Sequence, residues 1–376
     1  MSRTYEALAM GVPVATARGR ADRAATGSAR LRSLTATMAA TLQPAHYPAR
    51  FAAEGRALLG RAVDRCIRST GRVRFHDFDP HDAICVSGIA RGGTTWLAEM
   101  LASDQRHLLV FEPLQPYSGR EPFAHGFNWL NYHRRGDDWS RQQSFLKETL
   151  RGHMLNRRTL RPWRSIFSPH KYARLVVKFV HANMLLPSLY DSFGIKCAML
   201  IRHPCAVVAS QLRWGAKVNK RTFFVPPGLF DDFPHLETVF NRIEGKEDVL
   251  AFEWAIQQLP ALAYAKPYPW LIVFYELIYR DRASQLARLC DFFEIDPATI
   301  PIAQSYRPSR VTMADSSTYL GRNQLGSWKQ RLDKTTITRI LDVVQACGID
   351  LYSDSELPVR PRASELEINS GIPRVA

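Results

Sequence analysis

Between about residues 80 and 350, short apolar runs alternate with longer stretches of helical spacing. The runs are 83–87 (AICVS), 108–111 (LLVF), 175–179 (LVVKF), 197–201 (CAMLI) and 270–274 (WLIVF). Helix-like segments follow most of them, at 94–103, 182–191, 204–213 and 279–293. Near-continuous apolar strands joined through helices predict an α/β fold whose parallel sheet is covered on both faces. In such sheets ligands collect at the carboxyl ends of the strands. Two long stretches, 115–172 and 215–246, break the alternation and are rich in aromatics, Pro, Gly and charge. Connections of that length carry binding function or are disordered.

The pattern sets the expected boundaries. One main domain covers 51–352, with its core motifs within 83–350. Residues 1–50 are rich in Ala, Thr, Ser and Arg and have only Glu6 and Asp22 as acids. They read as a poorly packed leader, with a targeting segment as the other reading. Residues 353–376, with prolines at 358, 361 and 373, read as a C-terminal extension. No apolar stretch reaches the roughly 18–20 residues needed to span a bilayer, so a cytoplasmic protein is expected.

Composition alters this picture little. The formal charge is +15, but the excess is nearly all arginine, 40 Arg against 10 Lys, with no lysine before Lys147. A bias that uniform is the mark of a GC-rich genome, with a real anionic partner as the second reading. No helix-turn-helix, zinc-finger or RNP signature accompanies it, so nucleic acid is not an expected partner. The cysteines at 66, 85, 197, 205, 290 and 347 have no C-x-x-C or metal spacing, and Cys85 and Cys197 sit inside apolar runs. They read as small hydrophobes in a reduced protein.

The candidate chemistry begins at the first strand end, in "SGIARGGTTWLAEML" (87–101). Gly88 and Gly93 have the spacing of a phosphate-binding loop, but the lysine expected at 94 is Thr94, followed by Thr95. Arg91 is the loop's cation. Gly92 and Gly93 allow close backbone approach, and the helix from Thr94 offers N–H donors and a positive dipole end. In nucleoside triphosphate enzymes an acid at a neighbouring strand end helps to hold Mg²⁺; here the strand 197–201 runs into Arg202-His203-Pro204. A group with less charge than a γ-phosphate needs less neutralising and no metal, and a sulfuryl group fits.

Four segments resemble the sulfotransferases that use 3′-phosphoadenosine 5′-phosphosulfate (PAPS). "RGGTTW" (91–96) is similar to their 5′-phosphosulfate loop, with Trp96 at the position that meets the adenine. "LIRHPCAVVAS" (200–210) resembles their 3′-phosphate motif through Arg202 and Ser210. "VFYELIYRDRASQLARLCDFF" (273–293) resembles their strand, Tyr-Glu and helix segment, with Leu277 where an acid is expected. "GRNQLGSWKQRL" (321–332) resembles the C-terminal loop that closes over the nucleotide, through Arg322 and the Gly-x-Trp-Lys containing Trp328. The familiar Lys-Gly after the arginine is Asn-Gln here. Taken singly, Arg202 reads as a surface arginine, Ser210 as a helix serine, and Trp96 and Trp328 as core. As an ordered set they imply a P-loop-like sulfotransferase fold, PAPS as donor and no metal.

Transfer to a hydroxyl needs a group to take its proton and a cation to steady the leaving oxygen. Glu112, in "VFEPL", is similar to the "FEP" glutamate proposed as base in carbohydrate sulfotransferases and is the first choice. Lys178, in "VVKFVHAN", matches a lysine near the sulfuryl group. His181 is the second choice as base, because the aryl and steroid branch has its histidine two residues after the lysine, where this chain has Val180. An offset of one residue turns a strand side chain to the other face. The resemblance therefore implies a carbohydrate or glycolipid acceptor, with contact at a glycolipid surface, or a small phenol or alcohol. A P-loop kinase and a non-catalytic nucleotide- or glycan-binding protein are the alternatives.

Overall fold

Every one of the five apolar runs forms a strand in the computed structural model, which describes residues 77–115, 121–156, 158–162, 165, 171–264, 269–309 and 324–359. The strands are β1 (Ile84–Gly88), β2 (His107–Phe111), β3 (Leu160–Arg161), β4 (Arg174–Val180), β5 (Lys196–Ile201) and β6 (Leu271–Phe274). Their order across the sheet is β3-β2-β4-β1-β5-β6. Only the β2–β3 pair is antiparallel. The two-residue β3 is too short for any periodicity to announce it.

Both faces of the sheet are covered, as continuous apolar runs require. Leu175, Val177 and Phe179 of β4 belong to one core, and Val176 to the core on the opposite face. Lys178 shares the face of Val176 and is buried there. The strand continues to Val180, one residue beyond the apolar run 175–179, so Lys178 lies two residues inside it.

The helices that matter to the strand ends are α1 (Thr94–Leu101), α2 (Ser140–Leu150), α3 (Leu186–Phe193), α4 (Pro204–Arg213), α5 (Lys246–Leu262), α6 (Tyr275–Arg280), α7 (Arg282–Phe293) and α8 (Lys334–Ala346). The segment expected as one helix over 279–293 starts earlier and divides at Asp281, whose carboxylate accepts from the Ser284 N–H at 3.2 Å and caps α7. The interior helix α5 is apolar on nearly every side, with Val249, Phe252, Trp254, Ile256 and Leu259 all buried. Its hydrophobicity is too even to give an amphipathic period.

Buried polar groups on α5 meet the ends of β1 and β4. The Ser87 hydroxyl donates to Asn183 Oδ1 at 2.5 Å, and Asn183 Nδ2 donates to Gln258 Oε1 at 2.8 Å. Each of these three residues is fully buried. Such a network stabilises only while its members are paired. Cys85, Cys197, Cys205, Cys290 and Cys347 are free and buried. Among the described residues no helix is long and apolar enough to cross a membrane.

Replacing Asn183 with Leu strips Ser87 and Gln258 of their partners. The expected loss of stability is about 1–3 kcal/mol for each polar group left unpaired. Urea unfolding of Asn183→Leu measures it, and an unchanged midpoint contradicts the role of the network.

Candidate functional site

The loop from Ile89 to Gly93 carries β1 into α1 and makes one wall of a cavity of about 530 Å³ at the carboxyl ends of the strands. Gly93 has φ 101°, and a Cβ added to it would meet the Tyr275 ring at 2.7 Å. Only glycine combines that backbone with that contact. No side chain caps α1, so its first N–H groups are left for a ligand.

Two elements bring the expected 3′-phosphate residues to this loop. Arg202 follows β5, and its Nη1 donates to the Arg91 carbonyl at 3.1 Å. Ser210 lies on α4, where its Oγ accepts from Arg91 Nε at 3.2 Å. Arg91 therefore reaches sideways to α4, with its guanidinium 4.5 Å from the Trp214 ring. Burial, and then Arg202 and Arg213, pull the Arg91 pKa down. Arg202 stands 4.3 Å over Tyr275, and its Nε is buried without a hydrogen-bond partner among the described residues.

The charge of the cavity is one-sided. Arg91, Arg202, Arg213, Arg282, Arg307, Arg331 and Lys178 line it, and Glu112 is its one carboxylate among the described residues. Arg282 also has a buried Nε without a described partner, with its guanidinium 4.3 Å from Tyr306. Adjacent cations without acids between them call for a polyanion.

The family model of the sulfotransferase domain matches residues 81–355. The chain belongs to the sulfotransferase family. This is the family that the four motifs imply, one of PAPS-dependent enzymes. No curated protein matches the chain significantly. Among solved structures, similar chains include the sulfotransferase domain from the curacin biosynthetic pathway, 19% identical over 70% of this chain and 97% of that one, TM-score 0.37. The sulfotransferase domain of the Synechococcus PCC 7002 olefin synthase is 16% identical over 72% and 95%, TM-score 0.39. A mouse sulfotransferase complexed with PAP (3′-phosphoadenosine 5′-phosphate) is 16% identical over 72% and 88%, TM-score 0.36.

In this sulfotransferase, Trp96 is partly buried, packs edge-to-face on Tyr275 with centroids 5.6 Å apart, and donates from Nε1 to the Ser305 carbonyl at 3.0 Å. Thr94 and Thr95 are buried at the start of α1. Trp328 is buried and stacks on His203, centroids 4.4 Å apart, on the other side of the Arg202 motif. Arg322 lies outside the described residues. Arg213, Trp214 and Arg282 join the site without having been singled out in the sequence, beside Tyr275 of the Tyr-Glu pair. Arg213 was within reach of helical spacing, three residues after Ser210 on α4.

The three residues nearest the expected chemistry gather at the ends of β2 and β4. Lys178 forms a buried ion pair with Glu112 and lies 4.1 Å from the Phe111 ring centroid. Burial lowers the Lys178 pKa, while the neighbouring Glu112 works against the fall. Glu112 and His181 are each the first residue after their strand, and both have positive φ, 49° and 58°. Arg91 has φ 69°, so three of the four non-glycine residues with positive φ among the described residues line this one cavity. Backbone strain of this kind collects at functional sites. The left-handed turn also answers the register objection: alternation stops at Val180, and His181 lines the cavity despite its offset.

His203 offers a pH test of the Arg202 motif. Its Nδ1 accepts from the Cys205 N–H at 3.1 Å, and Nε2 lies 2.9 Å from the Ser353 carbonyl, to which it donates in the neutral form. Burial pushes its pKa down from 6.5 to about 4. Between those values the unfolded chain binds the extra proton. The stability His203 contributes is therefore complete above pH 6.5 and is lost as the pH falls toward 4, about 3 kcal/mol in all. Glu253, pushed up to about 7 by burial, has the opposite sign, so the readout is a difference between proteins. The wild-type melting temperature should fall more steeply from pH 6.5 to 4.5 than that of His203→Gln. Parallel curves contradict a buried neutral His203.

Proposed function

We propose that this enzyme transfers a sulfuryl group from PAPS to a hydroxyl of a carbohydrate or glycolipid, with no metal ion. The observation that carries the donor is the arginine array joined to the lysine-free loop, with Arg202 Nε buried and unpartnered among the described residues. Residues Arg91 to Trp96 hold the phosphosulfate. Arg202, Ser210 and Arg322 hold the 3′-phosphate, and Arg91 spans both groups through Ser210. Trp96 and Tyr275 offer aromatic surface to the adenine, and Trp328 supports the Arg202 motif through His203.

The acceptor oxygen attacks sulfur in line as the bond from sulfur to the 5′-phosphate oxygen breaks. Its proton passes to Glu112 or His181, and Lys178 and Arg91 stabilise charge on the departing phosphate. Support for a carbohydrate comes from the "FEP" resemblance and from Trp129, Trp214 and Tyr306. These rings line the cavity while remaining 42%, 56% and 65% exposed, offering flat apolar faces at its mouth. A second reading, a small phenol or alcohol, is favoured by Phe111 and Val180, which flank Glu112 and His181 with apolar surface.

Two measurements test the proposal. PAP at 100 times its dissociation constant should stabilise the protein by about 2.7 kcal/mol, with adenosine 5′-phosphate and Mg²⁺-ATP doing far less. Arg202→Ala should weaken PAP binding by about 1.5–3 kcal/mol while leaving the fold intact. Equal stabilisation by adenosine 5′-phosphate defeats the 3′-phosphate assignment. For the acceptor, ³⁵S-labelled PAPS supplied with glycans, glycolipids and phenols should label the first two classes, and label in phenols alone moves the enzyme to the second reading.

A further inference from the structure

Behind His181 runs a second, largely buried chain of polar groups. His181 Nδ1 lies 2.8 Å from Gln257 Oε1, and Gln257 Nε2 donates to Glu253 Oε1 at 3.3 Å. Gln257 and Glu253 are one turn apart on α5, so a single helix face presents both. The order of the chain fixes the proton. Gln257 turns its amide N–H to Glu253 Oε1, which accepts as a carboxylate oxygen or as the carbonyl of the neutral acid, and its carbonyl to His181. That carbonyl has only lone pairs to offer, so Nδ1 must carry the hydrogen. The neutral ring is left with its lone pair on Nε2, the nitrogen with no hydrogen-bond partner among the described residues, in a side chain that lines the cavity.

We propose that Gln257 and Glu253 are positioning residues for sulfuryl transfer: they hold the Nδ1–H of His181 so that Nε2 stands as the proton acceptor for the substrate hydroxyl. The inference rests on the function proposed above and goes beyond it, to residues on α5 outside the four segments that resemble the family.

Charge around the ring agrees with the arrangement. Burial lowers the His181 pKa to about 4, and Lys178 on the neighbouring cavity wall also opposes a second proton. Glu253 is raised to about 7, again by burial. Although His181 Nδ1 and Glu253 Oε1 are 3.7 Å apart, burial draws each toward its neutral form, and the contact is not an ion pair. Glu112 is already engaged with Lys178. On hydroxyl attack the proton moves from the acceptor oxygen to Nε2, and the imidazolium keeps its Nδ1–H on Gln257.

The test separates positioning from mere packing. Gln257→Met keeps length and removes the carbonyl. It should lower kcat by about 10- to 100-fold, the size of loss that follows removal of the outer partner of a metal-binding histidine, with KM for PAPS and stabilisation by PAP unchanged. Glu253→Met frees Gln257 to rotate and should lower kcat in the same way. Gln257→Glu restores an acceptor for Nδ1–H. It should recover kcat to within a few-fold of wild type and move the acid limb of the kcat/KM profile to higher pH, because a carboxylate favours the imidazolium. A structural role alone lowers melting temperature without moving that limb, so the pH profile of Gln257→Glu decides the matter even if Gln257→Met folds poorly. Wild-type kcat in Gln257→Met, or an unmoved limb in Gln257→Glu, overturns the positioning role. So does an active His181→Ala beside an inactive Glu112→Gln. If PAP fails to stabilise even the wild-type protein, the failure belongs to the donor assignment.

Discussion

One hydrogen bond ties the candidate site together, the one from Arg202 to the Arg91 carbonyl. It fastens the end of β5 to the loop after β1, two walls of the arginine-lined cavity. Other contacts converge on the same residue. Its guanidinium lies over Tyr275, and its own carbonyl accepts from Trp254 Nε1 at 3.0 Å. The next residue's N–H goes to the buried Glu276 at 2.9 Å. Arg202 is thereby oriented by the sheet, by α5 and by α6 before any ligand arrives, and donors fixed beforehand need no reorganisation when an anion binds.

That pre-organisation is costly elsewhere. Seven cations line a cavity with one carboxylate among the described residues, and three side chains at its wall sit on left-handed backbone. Strained residues of this kind cost about 1–3 kcal/mol each. The two buried polar chains on α5 offset part of it by holding the strand ends in one arrangement. One runs through Gln258 and Asn183 to Ser87, the other from Glu253 through Gln257 to His181. A helix apolar on nearly every other side thus meets the sheet through amides at the place where register matters most.

The sheet was legible because strands buried on both faces must be apolar throughout, and the five runs obey that rule. That the glycine loop, Arg202 and Ser210 would meet in one cavity was legible because their spacing places them at neighbouring strand ends. What escaped had no local signal. β3 has two residues, and the even hydrophobicity of α5 conceals its period. The arrangement of Gln257 and Glu253 behind His181 depends on α5 packing against the turn that follows β4, a contact across more than 70 residues of sequence. His181 shows the limit from the other side: alternation predicts that it faces away, and the alternation rule fails at the residue where the strand gives way to a left-handed turn. Arg282 and Arg213 looked like ordinary helix arginines in a chain with so many.

His203 connects the nucleotide motif to a place far along the chain. One nitrogen caps the start of α4, the helix carrying Ser210, and the other meets the carbonyl of Ser353. Tyr352 beside it donates to the same Glu276 that fixes the His203 backbone, at 2.9 Å. The chain around 352–353 is therefore part of the frame that aims Arg202 and Ser210. Mechanical coupling of this kind is reciprocal. On the function proposed above, a disturbance that peels this segment away would loosen the grip on the donor's 3′ end, and an occupied donor site would hold the segment down. Order in the segment at 352–353 and order at the end of β5 share one equilibrium.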